Sequence, residues 1–232
     1  MSFHMFGFPI TIHGSFLAVI AILGYTSFPE QLDRVAAFVV IALIAIVIHE
    51  LGHAFAARSQ GTHGTPTISL EGMAGLTRYR LQEQPSRSQA IMISFAGPLA
   101  GILLGAAVLA LARSGFLDRT PLIDDLILIG LFTTFGWSAF NLLPIVPLDG
   151  GHIMTDLIPG SVPVRRRRAA IVSIIVAVAA AIWLWFYLGS LFAPLILGMM
   201  AYQNFTSISR ARPAAGIPVP MSPRDDSPVN DG

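Results

Sequence analysis

The chain has 232 residues, 54% of them hydrophobic and 12% charged, with a mean hydropathy of +0.69. That is the composition of a membrane protein, and a net charge of +1 without a broad basic face speaks against nucleic-acid binding. The absence of cysteine excludes disulfides and thiolate metal sites, so histidine and carboxylate are the available metal ligands.

Met1 to Phe8 reads as a short apolar lead, and Pro9 opens a first apolar span over residues 10–25. That span is short for roughly 30 Å of hydrocarbon. Residues 1–9 lack a positive leader, so the first helix is expected to stay as an anchor. His13 lies in this span, either at the interface or facing a polar pocket.

A second span covers residues 35–57 and ends in His49-Glu50-Leu51-Gly52-His53. In a helix, residues i and i+4 leave the same face one turn apart, which suits two imidazoles on one zinc ion. Glu50 follows the first histidine directly, where it can take a proton from a zinc-bound water. Ionisable groups inside a membrane segment are expensive and mark function by default.

Residues 59–89 are polar and punctuated by glycine. Thr65 to Leu70 and Leu76 to Arg80 flank Glu71-Gly72-Met73-Ala74-Gly75, which predicts a small β-hairpin. It is either an ordinary loop or an edge that pairs with an extended substrate. A third span over 90–112 carries Phe95-Ala96-Gly97-Pro98-Leu99-Ala100-Gly101 and then Gly105, a four-residue spacing that permits close helix packing. Pro98 is expected to free a backbone carbonyl and kink the helix.

A fourth span over 126–143 leads into Asn141-Leu142-Leu143-Pro144-Ile145-Val146-Pro147-Leu148-Asp149-Gly150-Gly151-His152. Two prolines break the helix at membrane depth, where irregular backbone is tolerated only against protein or a cavity. The two glycines are expected to let the chain fold back. Arg165 to Arg168 read as a stop-transfer cluster before a fifth span over 169–188, and a sixth covers 191–208. The predicted fold is an all-α membrane protein of about six transmembrane helices with a β-hairpin between the second and third. A membrane-embedded domain over 1–209 precedes a disordered proline-rich tail over 210–232.

The loops over 58–89 and 153–168 hold four arginines each and the tail holds three, whereas 26–34 holds one and 113–125 holds two beside three aspartates. Arginine-rich loops stay in the cytoplasm, which places both termini and the metal motif on that side. A catalytic zinc takes three protein ligands and leaves one position open. Asp149, His152 and Asp156 lie at the right depth for the third, and Asp149 is chosen for its place on the broken segment. Asn141 is suited to donate to substrate. His152 and His13 are residues that could orient a ligand.

These motifs, in this order and in separate apolar segments, resemble the site-2 protease family of intramembrane zinc metalloproteases over residues 8–208. The resemblance implies one Zn2+ per chain held by His49, His53 and Asp149, Glu50 as base and Asn141 in contact with substrate. It implies hydrolysis within transmembrane helices of membrane-anchored substrates. Such substrates are often anti-sigma factors or membrane-tethered regulators, cut after a first protease has shortened them. No PDZ or CBS module is expected, since only residues 54–90 separate the metal motif from the third span. A pseudoprotease would have lost Glu50 or a ligand. A zinc transporter would need polar residues reaching the far leaflet, and a di-metal oxidase more histidines than six.

Overall fold

The computed structural model describes residues 1–72, 74–188 and 192–210, so the expected tail lies outside the described residues from 211 onward. The first elements differ from the expectation. Instead of an apolar lead running into a helix, Ser2–Met5 (β1) and Phe8–Ile12 (β2) form an antiparallel hairpin. Phe6 and Gly7 take the turn with φ of 51° and 82°, the mirror-image geometry that suits a two-residue hairpin. The signal was the alternation from Phe8 to Ile12, in which Phe8, Ile10 and Ile12 are buried and Pro9 and Thr11 are not.

The predicted hairpin is present as Thr67–Glu71 (β3) and Ala74–Arg78 (β4). The two hairpins join into one sheet of order β1-β2-β3-β4, with β2 and β3 parallel and Ile10 opposite Ile68. Pro9 sits outside that parallel ladder, as a residue without an N–H must. Phe8, Ile10, Ile12, Ile68 and Leu70 form the inner face and pack on Val47, Leu51 and Ala54.

The helices that follow are Gly14–Ser27 (α1), Leu32–Ser59 (α2), Arg87–Arg113 (α3), Pro121–Leu131 (α4), Trp137–Asn141 (α5), Asp149–Leu157 (α6), Val162–Leu188 (α7) and Phe192–Arg210 (α8). A π-helical turn over Phe132–Gly136 joins α4 to α5, where Thr133 and Thr134 hydroxyls donate to carbonyls one turn back. Four helical stretches among the described residues are long and apolar enough to cross a membrane: α2, α3, the joined helix Pro121–Asn141, and α7. Apolar α1 is shorter, and α8 turns polar from Gln203 onward. The arginine run falls inside the first two turns of α7, not before it, and Arg165 Nη1 pairs with Asp156 Oδ1 at 2.8 Å.

At the end of α2, the Arg58 guanidinium lies 4.2 Å from the Phe8 ring centroid and 4.9 Å from that of Phe55. It also donates to the Phe6 carbonyl at 3.3 Å, which ties the N-terminal hairpin to the helix.

The small residues of α3 set how closely its neighbours approach. A β-carbon on Gly105 would lie 2.7 Å from Thr134 Oγ1 and 2.9 Å from the Phe135 ring. One on Gly101 would collide with Ser138 Oγ. Gly52 of α2 meets the Ala96 backbone in the same way. Gly105→Val is therefore expected to force α3 off the joined α4–α5 helix and destabilise the fold by about 1–3 kcal/mol, read as an earlier midpoint in denaturant-induced unfolding in detergent.

Candidate active site

Helix α2 carries His49, Glu50 and His53 into the interior at 2%, 6% and 8% exposure. Their ligating atoms lie within 4.8 Å of one another. The segment after α5 brings in the opposing carboxylate. His49 Nε2 stands 3.0 Å from Asp149 Oδ2, and His53 Nε2 stands 3.3 Å from Asp149 Oδ1. The two Nε2 atoms are themselves 3.3 Å apart.

His53 Nδ1 is 2.8 Å from the Ile93 carbonyl. A carbonyl only accepts, so Nδ1 carries the hydrogen and the neutral ring presents a bare Nε2 lone pair. This is the carbonyl-backed histidine that suits a metal ligand. A tetrahedral zinc with ligands at about 2.0–2.1 Å has edges of about 3.3–3.4 Å between them. The two Nε2 atoms stand 3.3 Å apart and each stands 3.0–3.3 Å from one oxygen of the Asp149 carboxylate, so the donor set fits zinc. Among the described residues His49 Nδ1 is buried without a partner, and the His49 ring is held from its Nε2 side.

Glycine makes the approach possible. A β-carbon on Gly97 of α3 would fall onto the His53 imidazole, and one on Gly75 of β4 onto the Glu50 carboxylate. The expected effect of Pro98 is displaced by one residue: the carbonyl that lacks a helical donor is that of Ser94, while His53 uses that of Ile93. Gly150 and Gly151 do not fold the chain back. They start α6, and their missing β-carbons let it rest on the Leu142 to Val146 backbone.

Thr77 of β4 was not foreseen. Its hydroxyl lies 2.7 Å from Glu50 Oε2 and 3.0 Å from the Glu50 carbonyl, so the sheet holds the acidic side chain of α2. No local pattern in the sequence links residue 77 to residue 50; the contact arises where β4 packs on α2.

These groups open onto a cavity of about 840 Å³, walled mainly by apolar side chains of α1, α2, α8 and the π turn with α5. Asp149, His152 and Asp156, spaced along one face of α6, line it, as does Asn141, whose Nδ2 donates to the Trp137 carbonyl at 2.9 Å. Tyr79, just past β4, lines it too. Burial pushes the Tyr79 phenol up from its ordinary value, and the Asp149 and Asp156 carboxylates add to this, so it stays a neutral donor. His13 is elsewhere. It precedes α1 with its backbone N–H on the Leu70 carbonyl, is exposed, and is not among the cavity residues.

Because Gly97 leaves only enough room for the His53 ring, Gly97→Ala is expected to weaken zinc binding by about tenfold to a hundredfold. Competition against a chelator of known affinity measures this.

Residues 15–148 match the family described as Peptidase M50B-like, and residues 119–184 match Peptidase family M50. The zinc metalloprotease MJ0392 of Methanocaldococcus jannaschii is 27% identical over 161 residues, 67% of this chain and 44% of that protein. The chain thus spans less than half the length of the curated relatives it matches. The solved structure of the site-2 protease from Methanocaldococcus jannaschii superposes with a TM-score of 0.59 at 25% identity, covering 94% of this chain and 99% of that one. With the paired histidines, the glycine-lined α3 and the Asp149 segment in one fold, the chain belongs to the M50 peptidases of the site-2 protease family.

Proposed function

We propose that the chain is an intramembrane zinc endopeptidase, with His49, His53 and Asp149 as the metal ligands and Glu50 as the general base. The observation that supports this best is the convergence of three donor side chains, two imidazoles and one carboxylate with contacts of 3.0–3.3 Å, in a cavity between apolar helices. Asp149 is preferred to Glu50 as third ligand because it meets both Nε2 atoms, whereas Thr77 engages Glu50 Oε2.

Zinc, when bound, lowers the pKa of a coordinated water toward neutrality and polarises a carbonyl. The protein supplies the rest. Thr77 holds one Glu50 oxygen and leaves the other to accept a proton and pass it to the departing amine. Asn141 offers an amide to the substrate backbone or its developing oxyanion. His152 lies one turn beyond Asp149, on the wall that orients the site.

A helical substrate hides its carbonyls in i→i−4 bonds and must unwind before attack. The sheet offers replacement partners. Ile68 and Leu70, in the first strand of the predicted hairpin, are buried in an inner strand and so do not form that edge. Of the two edge strands, β1 and β4, it is β4 whose Ala74 to Thr77 line the cavity, and among the described residues its pairing partner is β3. We assign β4 as the strand that receives the unwound segment.

The proposed substrates are membrane-anchored proteins cut within or near a transmembrane helix, membrane-tethered regulators among them. The arginine-rich loops support a multi-pass arrangement with both termini and the site on the cytoplasmic side. The proposed protease domain covers 1–209.

A panel of tagged single-span proteins, co-expressed with the chain, tests this. Glu50→Gln is expected to lower cleavage by about a hundredfold or more while zinc stays bound at the parent level. Equal cleavage by both forms would assign the activity to a host enzyme and sink the proposal. The absence of native cysteine allows a second check: Leu76→Cys, half-exposed on β4, is expected to cross-link to a cysteine near the cut site of a substrate trapped by Glu50→Gln. Cross-linking only from residues outside β4 would remove the strand from the reading.

A further inference from the structure

Two polar side chains lie buried in the last two helices, outside the site described so far: Ser173 of α7 at 0% exposure and Asn204 of α8 at 4%. Both reach the same residue. The Val146 N–H donates to Ser173 Oγ at 2.9 Å, and Asn204 Nδ2 donates to the Val146 carbonyl at 2.6 Å. Asn204 Nδ2 also lies 2.8 Å from the Met200 carbonyl of its own helix.

Val146 stands between Pro144 and Pro147, in the segment that leaves α5 and enters α6. Its backbone groups have no helical ladder to join, and hydrocarbon offers them no water. Side chains must satisfy them, and a serine and an asparagine from two different helices do so. The Val146 peptide is gripped from a third side as well. A β-carbon on Gly151 would overlap the junction of Ile145 and Val146, so α6 rests directly on this peptide. Asp149 follows Val146 by three residues and meets His49 and His53 at 3.0 and 3.3 Å.

We infer that Ser173 and Asn204 are positioning residues for Asp149: by fixing both polar groups of the Val146 peptide they set where the Asp149 carboxylate meets the two histidines. The inference rests on the reading of Asp149 as a metal ligand. Mere helix-to-helix adhesion by polar groups would stabilise the fold without tuning metal affinity, so metal affinity is the quantity that separates the two roles.

The test uses the full chain purified in detergent. Zinc affinity is measured by chelator competition, geometry by the visible spectrum of the Co2+-substituted protein, and fold by circular dichroism. Ser173→Ala and Asn204→Leu are each expected to weaken zinc by about tenfold and alter the cobalt spectrum, with helix content unchanged. Parent affinity and parent spectrum in either folded variant would overturn the inference. Should Asn204→Leu fail to fold, Ser173→Ala decides alone, since it removes one oxygen from a helix rich in alanine. Asp149→Ala runs beside them: if it weakens zinc while the other two do not, only this inference falls. If it too binds zinc like the parent, the assignment of Asp149 falls with it.

Discussion

Ionisable side chains buried between apolar helices are the constraint on which the rest of the structure depends. His49, Glu50 and His53 leave water almost completely, and Asp149 largely does. An isolated charge at such a position would cost several kcal/mol. Each group therefore finds a partner: Asp149 for the two histidines, the Ile93 carbonyl for His53 and the Thr77 hydroxyl for Glu50. The partners come from α3, α6 and β4, so the neighbouring architecture serves to bring those three elements onto one turn of α2.

Steric clearance makes that convergence possible. Gly97, Gly75 and the pair Gly150-Gly151 come from three different elements, and at each a β-carbon would overlap an atom of the site or of the backbone carrying it. Glycine here trades conformational freedom for close approach. The same logic holds the remaining polar backbone. Where Pro144 and Pro147 end the helical ladder, Ser173 and Asn204 bond the exposed peptide. Where the π turn widens the joined α4–α5 helix, threonine hydroxyls do so.

What could be read in the sequence was whatever a short spacing or a long apolar run encodes. His49 and His53 at i and i+4, the breaks at Pro144 and Pro147, and the spans expected over 35–57, 90–112 and 169–188, observed as 32–59, 87–113 and 162–188, are of this kind. The hairpin across Gly72 was equally local. The first hairpin was missed because Phe8 to Ile12 runs straight into apolar α1, so an alternating strand and a short helix merged into one apolar stretch. The contacts of Thr77, Ser173 and Asn204 could not be read, because each depends on a pairing between elements distant in the chain. A polar residue inside an apolar helix announces a need for a partner, and the sequence does not say which one.

The geometry also explains why the proposed donors are split between two parts of the chain. His49 and His53 share a rigid helix, fixed by the sheet on one side and α3 on the other. Asp149 arrives on an irregular segment whose packing belongs to a second apolar cluster, formed by Ile145 and Leu148 with Ala177, Leu197 and Ala201. The carboxylate is thus referenced to α7 and α8 and the imidazoles to α2 and α3. A metal bound by all three would join two apolar clusters that otherwise meet mainly through α3 and α6. In that arrangement the separation of His49 and Asp149 depends on how the last two helices seat against the rest. Packing far from the donors then bears on their spacing through a single peptide, that of Val146.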